Sequence, residues 1–290
     1  MAGPGAEIDV TTELVRELLR AQHPDLAELP LVEVASGWDN VVYRLGADLA
    51  VRLPRRALAA VLVAGEQRWL TELAPRLPLP IPAPVRTGGP GAGYPWSWSV
   101  VPWFPGEEAA VTDPEDWPTA AERLGEFLAA LHQPAAVDAP LNPYRGVPLA
   151  DRSERLIEGL EQLEGRANRT LIEARWADLV STPEWTGPKV WLHGDLHPRN
   201  LVVHEGRLSA VIDFGDLTAG DPAVDLSVAW IWLPTSVRPT FRAAAGGVDD
   251  DTWRRAKGWA LALGVALSNG DDRVARLGER AVAAALADPG

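Results

Sequence analysis

The chain predicts an α+β fold with a sheet-rich N-terminal part and a mainly helical remainder. Short apolar runs at 31–35, 41–45 and 49–53 alternate with the turn-forming stretches Ser36-Gly37-Trp38-Asp39-Asn40 and Gly46-Ala47-Asp48, the pattern of an antiparallel meander. From residue 120 onwards apolar residues recur at helical spacing, beginning with Ala120, Leu124, Phe127, Leu128 and Leu131. Within that helical part, the runs 201–203 and 208–212 flank Glu205-Gly206 and read as a β-hairpin with a polar cluster at each end.

A chain of 290 residues is ample for a sizeable core, as one large domain or as two lobes. Its 47% hydrophobic and 23% charged residues are those of an ordinary globular protein. No segment reaches the ~18 uninterrupted apolar residues of a membrane span. The start, Met1 to Asp9, has neither a basic region nor an apolar core for export, so a cytoplasmic protein with no membrane partner is expected. The absence of cysteine excludes disulfides and thiolate metal sites. With 27 basic and 40 acidic residues, a net charge of −13 repels a phosphate backbone, which argues against a nucleic-acid partner. The same charge would attract a cationic substrate, or would simply keep the chain soluble.

Taken in order, Asp9 is placed to cap a helix with an apolar stripe at Val10, Leu14 and Leu18. After the meander, a helix over 57–73 carries Leu58, Leu62, Trp69, Leu70 and Leu73 on one face, with Glu66 among them. Either Glu66 is buried and needs a partner, for which Arg52 is the candidate, or the stripe is rotated and Glu66 lies at its wet edge. Pro78 to Pro84 is an extended connector. Residues 85–86 and 96–101 pair across the Gly-rich turn 88–93. His132 ends the helix of Leu124 and Leu131 as a partner for its dipole, and 134–151 is a Pro-rich loop. Leu156, Leu160 and Leu163, then Leu171, Trp176 and Leu179, mark two further helices. Asp221-Pro222 starts another. Trp230, Trp232, Trp253 and Trp259 are read as core or as faces on which a substrate stacks, and an Ala-rich helix follows Asp271.

The chemistry concentrates in 190–225. Because hairpin strands run antiparallel, Asn200 before the first and Asp213 after the second lie side by side. An amide oxygen and a carboxylate suit Mg²⁺, which takes its remaining ligands from phosphates and water. Asp195, five residues before Asn200, is the candidate base for a hydroxyl proton. The spacing from Asp195 to Asn200, and the triplet Asp213-Phe214-Gly215, repeat the catalytic-loop and magnesium motifs of kinases.

His193-Gly194-Asp195-Leu-His-Pro-Arg-Asn200 followed by Ile212-Asp213-Phe-Gly-Asp216 resembles the aminoglycoside phosphotransferase family, the small-molecule branch of the protein-kinase-like fold. Gly194 in place of the kinase Arg, and no Ala-Pro-Glu segment, are departures typical of that branch. The resemblance implies a two-lobed fold: a small antiparallel-sheet lobe (1–101) for nucleotide, a hinge (102–106), and a larger helical lobe (107–290) for catalysis and substrate. It implies ATP or GTP as donor and a small-molecule hydroxyl, possibly on a cationic aminoglycoside-type antibiotic, as acceptor. Macrolides, choline, homoserine and methylthioribose are acceptors of related enzymes, and a catalytically silent nucleotide-binding regulator is the reading from another class. The oligomeric state stays open.

By the same resemblance Ser36, Gly37 and Asn40 lie over the nucleotide phosphates, although no Gly-x-Gly-x-x-Gly is present and these residues equally suit a plain turn. Arg52 stands where kinases carry the phosphate-holding lysine, and Glu66 completes its ion pair. The Val101 carbonyl and Trp103 N–H are assigned to the adenine edge, since Pro102 has no N–H. Asp225 braces the catalytic loop or merely suits a helix dipole, His193 is structural, and His197 either touches phosphate or is solvated.

Overall fold

Three strands, β1 (Leu31–Ser36), β2 (Asn40–Leu45) and β3 (Leu49–Pro54), form the expected meander, preceded by helix α1 (Thr12–Gln22) and followed by helix α2 (Ala57–Leu73). The structure is a computed structural model and describes residues 5–36, 39–163, 165 and 167–288. Strands β4 (Arg86–Gly88) and β5 (Trp98–Pro102) complete a five-stranded antiparallel sheet in the order β1-β2-β3-β5-β4.

The cap of α1 is Thr11 rather than Asp9: the Thr11 hydroxyl accepts the Leu14 N–H at 3.2 Å. The buried stripe of that helix is correspondingly Val15, Leu18 and Leu19. The stripe of α2 differs from the expected one in its first half only: Leu58 and Leu62 are 75% and 39% exposed, with Ala59 and Val63 buried in their place, while Trp69, Leu70 and Leu73 are buried as expected, and so is Glu66.

The remainder comprises β6 (Glu107–Glu108), α3 (Trp117–Leu131), α4 (Ser153–Gln162), α5 (Arg169–Val180), β7 (Val190–Leu192), β8 (Leu201–His204), β9 (Arg207–Val211), β10 (Thr218–Gly220), α6 (Ala223–Leu226), α7 (Val228–Ile231), α8 (Arg238–Ala244), α9 (Asp250–Leu267) and α10 (Asp272–Ala287). Among the described residues, no helix is long and apolar enough to cross a membrane.

Pro102 is the last residue of the first sheet, and Glu107 opens β6, which pairs with β8 in a second sheet, so the chain passes from one sheet to another between them. The apolar residues sort accordingly into two cores. Leu18, Tyr43, Val51 and Trp98 belong to the smaller. Phe127, Trp230, Phe241 and Trp259 belong to the larger, which also takes in Trp69, Leu70 and Leu73 from the far end of α2. Trp232 and Trp253 pack against it partly buried.

Asp221 does not act as a simple helix cap. Its Oδ1 accepts the Ala223 N–H at 3.0 Å, while Oδ2 takes the Arg255 Nε–H at 2.7 Å, and the two side chains are only 4% and 3% exposed. Arg255 also donates to the Pro183 carbonyl and the Thr252 hydroxyl, so α9 is tied to the loop before α6. Asp221→Ala strands that guanidinium in the core. A loss of about 3–5 kcal/mol is expected, read as a lower urea midpoint at unchanged slope; a loss below about 1 kcal/mol, the range of exposed pairs, would mean that the pair is not insulated from water.

Candidate active site

The loop that follows β7 is shaped by Gly194 and by one buried carboxylate. Gly194 has φ +86°, and a Cβ there would collide with the Asp216 carbonyl, so the arginine that protein kinases carry has no room. Asp225, with no exposed surface, accepts the His193 N–H at Oδ2 and the Gly194 N–H at Oδ1, each at 2.8 Å. His132 at the end of α3 reaches the same Oδ2 at 3.2 Å, so its partner is this carboxylate and not only its own helix dipole. His193 spans the loop from the other side: Nδ1 accepts the Asp195 N–H at 3.2 Å, and Nε2 lies 2.9 Å from the Ile212 carbonyl, to which it donates.

The hairpin closes as expected. Leu201 pairs with Val211, and the Ile212 N–H donates to the Asn200 carbonyl at 2.9 Å, which holds the residues before β8 and after β9 side by side. Asn200 Nδ2 donates to the Asp195 carbonyl at 2.8 Å. Its amide oxygen accepts no hydrogen bond among the described residues. Asp213 adopts φ +61°, a conformation that costs a non-glycine residue about 1–2 kcal/mol, and its side chain is 61% exposed. No group of three or more His, Cys, Asp or Glu among the described residues could hold a metal by itself. One exposed carboxylate and one free amide oxygen therefore fit a hard cation that draws its other ligands from phosphate and water, as Mg²⁺ does.

Arg52 and Glu66 meet at 3.0 Å and are both buried. Burial pushes the Glu66 carboxyl above the ordinary carboxylate range, and the Arg52 charge opposes it. Arg52 Nη2 also lies 3.9 Å from Asp213 Oδ1, so the pair faces the candidate metal ligand. Of the phosphate-loop residues, Ser36 ends β1 and Asn40 opens β2 opposite Pro54, while Gly37 lies outside the described residues. At the hinge, Val101 is the penultimate residue of β5. The Trp103 N–H donates to the Asp48 carbonyl at 2.8 Å, which corrects its assignment as a free donor for a purine edge.

Asp195 is where the sequence understated the site. Its Oδ1 accepts from Arg145 Nη2 at 2.9 Å, and His197 Nε2 stands 3.4 Å from Oδ2. Burial by itself would raise the Asp195 pKa, but the hydrogen bond and charge of His197, with the charges of Arg145 and His193, hold it far below the ordinary carboxylate range. Arg145 also lies 3.4 Å from Asp216, whose other oxygen accepts from Asn142 Nδ2 at 2.7 Å.

The segment that carries Arg145 is the Pro-rich loop, and it is strapped to β10. The Asn142 N–H donates to the Thr218 hydroxyl at 2.8 Å, the Ala219 N–H to the Pro140 carbonyl at 3.1 Å, and the Asp221 N–H to the Gly146 carbonyl at 3.0 Å. Gly146, at φ +63°, passes so close to Leu192 and Gly220 that a Cβ would overlap them. The only sequence signal was the turn-forming Asn142-Pro143 and Arg145-Gly146 within the loop.

The profile of the phosphotransferase enzyme family, abbreviated APH, matches residues 30–259. No curated protein sequence gives a significant match. Among solved structures, the GDP complex of wild-type aminoglycoside 2'-phosphotransferase-IIIa superposes with a TM-score of 0.69 at 17% identity, covering 95% of this chain and 99% of that one. Macrolide 2'-phosphotransferase MphH from Brachybacterium faecium, as apoenzyme, gives 0.64 at 25% identity over 97% and 99%. The streptomycin–ATP ternary complex of APH(2'')-IIa gives 0.61 at 17% identity over 90% of each chain.

Arg145→Met removes one of the charges that keep Asp195 ionised and leaves the burial that acts against ionisation. The carboxylate then protonates at higher pH, read as an upward shift of the Asp195 side-chain ¹³C titration. A titration unchanged from the parent would show that Arg145 does not govern the charge of this carboxylate.

Proposed function

The chain belongs to the phosphotransferase enzyme family, and from that premise we propose that it moves the γ-phosphoryl group of ATP or GTP to a hydroxyl of a small molecule. The observation that carries this reading is the convergence of Asp195, Asn200 and Asp213 at the open end of one hairpin, on a loop that Asp225 anchors.

In this reading the nucleotide lies between the two lobes, joined through 102–106. Arg52, held by Glu66, supports the phosphates that are not transferred, with Ser36 at the end of β1 and Asn40 at the start of β2 beside them. Asn200 and Asp213 would hold Mg²⁺, which would supply charge neutralisation for the phosphates. The acceptor oxygen forms a bond to the γ-phosphorus as the bond from phosphorus to the β,γ-bridging oxygen breaks. That electron pair leaves with the nucleoside diphosphate, and the hydroxyl proton passes to Asp195. Phosphoryl transfer runs through a loose transition state in most analyses, with little demand for a strong base before bond formation. A carboxylate held ionised and weakly basic suits that chemistry: it orients the hydroxyl and takes the proton late. An ionised carboxylate has about four lone-pair sites, so Asp195 can accept a hydroxyl while Arg145 and His197 stay in place.

The solved relatives are described with aminoglycosides and as a macrolide phosphotransferase. For this chain the acceptor class is argued separately below, because the net charge that suggests a cationic antibiotic is not the charge of the cleft.

Asp195→Ala is expected to lower kcat by about 10²–10⁴-fold with nucleotide affinity unchanged, measured by phosphoryl mass gain across a panel of hydroxylated compounds and by nucleotide titration. Full turnover in that variant removes Asp195 from the mechanism. Asp213→Ala is expected to weaken nucleotide binding in the presence of Mg²⁺ and to abolish the difference made by chelator; equal affinities for variant and parent would sink the metal assignment.

A further inference from the structure

A cavity of about 530 Å³ opens between α4, the C-terminal half of α9, the start of α10 and the catalytic loop, and arginines dominate its polar lining: Arg152, Arg155 and Arg199. Its volume is that of a small-molecule pocket, with Leu156 and Ala262 supplying apolar wall. Arg199 lies four residues after Asp195, and Arg145, bound to Asp195, adds its charge to the field at Arg152. Asp195 is not on this lining; the cavity approaches it through Arg199 and through Tyr144, which precedes Arg145 and whose ring lies 4.1 Å from Arg155.

Arg152 is the telling residue. It is 7% exposed, its Nε has no hydrogen-bond partner, and no carboxylate lies within 4 Å of its guanidinium among the described residues. Its packing neighbour is the face of Trp259, 5.7 Å away. Buried charges in proteins are paired, because removing them from water without a partner is costly. Burial, with the neighbouring charges of Arg145 and Arg155, lowers the Arg152 pKa to about 10, so it stays cationic at neutral pH. Arg155 lies 4.1 Å from the Tyr144 ring and likewise has no acid within ion-pair distance among the described residues. Arg199 has a half-exposed contact with Glu108 at 3.5 Å and its charge also acts on Asp271. The acids on the lining are Glu158 and Asp271, and Asp271 is engaged as the cap of α10, accepting the Arg273 and Val274 N–H groups.

We propose that this cavity is the acceptor site and that it takes a hydroxylated molecule bearing an anionic group, a carboxylate or a phosphate, which Arg152 and Arg155 bind while the hydroxyl faces Asp195. The inference rests on the phosphotransfer reading of Asp195, Asn200 and Asp213. Guanidinium groups fork onto both anions with charge-assisted hydrogen bonds. The excess acid elsewhere on the chain does not contradict this, since charges more than about 8 Å apart are largely screened at physiological salt.

The test is calorimetric titration of the full chain, with Mg²⁺ and a non-hydrolysable nucleotide, by glucose, glucosamine, glucuronate and glucose 6-phosphate. Glucuronate or glucose 6-phosphate should bind at least about ten-fold more tightly than glucose, the effect of one charged hydrogen bond, and glucosamine most weakly. Which anion binds tighter identifies the carboxylate or the phosphate. Both Arg155→Ala and Arg152→Met should erase the preference, and Arg152→Met should melt no lower than the parent, because Met keeps the packing on Trp259 and the guanidinium it removes has no hydrogen bond or ion pair to lose among the described residues. A structural arginine would instead lower the melting temperature and leave the preference intact. Equal binding of glucose and both anions, no binding of either anion, tighter binding of glucosamine, or an anion preference that survives both substitutions overturns the proposal. If nucleotide binds and depends on Asp213 while the anions fail, only the acceptor class falls. If the anions bind and nucleotide does not, phosphotransfer and the acceptor role of the cavity fall together.

Discussion

The site depends on the buried Asp225 carboxylate. A loop that must hold Asp195 at a fixed place between two lobes exposes backbone N–H groups at its turn, and in the interior these need partners. Asp225 supplies one oxygen to each of two consecutive N–H groups, at His193 and Gly194, and receives His132 from a third element. The loop is thereby fastened to α6 and α3 at once. His193 then transmits that constraint to the hairpin end through Ile212, and Asn200 returns it to the Asp195 carbonyl. The relative position of Asp195, Asn200 and Asp213 follows from these bonds.

A second regularity is electrostatic. Arg52 stands between Glu66 and Asp213, and Arg145 between Asp195 and Asp216. Each arginine thus neutralises part of a carboxylate pair that would otherwise repel itself and drive one member to protonate. The two arginines arrive from different elements, β3 and the strap across β10. Asp216, with Arg145 at 3.4 Å and Asn142 at 2.7 Å, still has its pKa raised by burial, with the neighbouring Asp195 charge adding to the rise. Arg145 lies nearer Asp195 than Asp216.

Charge also has to be read locally. A chain with 40 acidic and 27 basic residues suggests affinity for cations, yet the cavity beside the catalytic loop gathers arginines, two of them without an acid partner among the described residues. The long-range field governs encounter and solubility, whereas the desolvated groups of a pocket govern what stays bound.

The residues alone determined the meander, the hairpin and the placement of Asn200 beside Asp213, because these follow from alternation, turn chemistry and the geometry of antiparallel strands. Fixed motif spacing likewise placed Asp195. Periodicity located α2 to the residue and the buried face of its second half, but misjudged the first half by one position, since neighbouring stripes of an apolar helix differ little in composition and packing selects one. It also passed over the arginines: Arg145 lies 50 residues before Asp195 in a loop without periodicity, and Arg152 and Arg155, at the start of α4, lie more than 40 residues from Arg199 in the chain. Proximity of that kind is created by folding, because the strap across β10 and the meeting of α4 with α9 bring together charges that no local pattern relates.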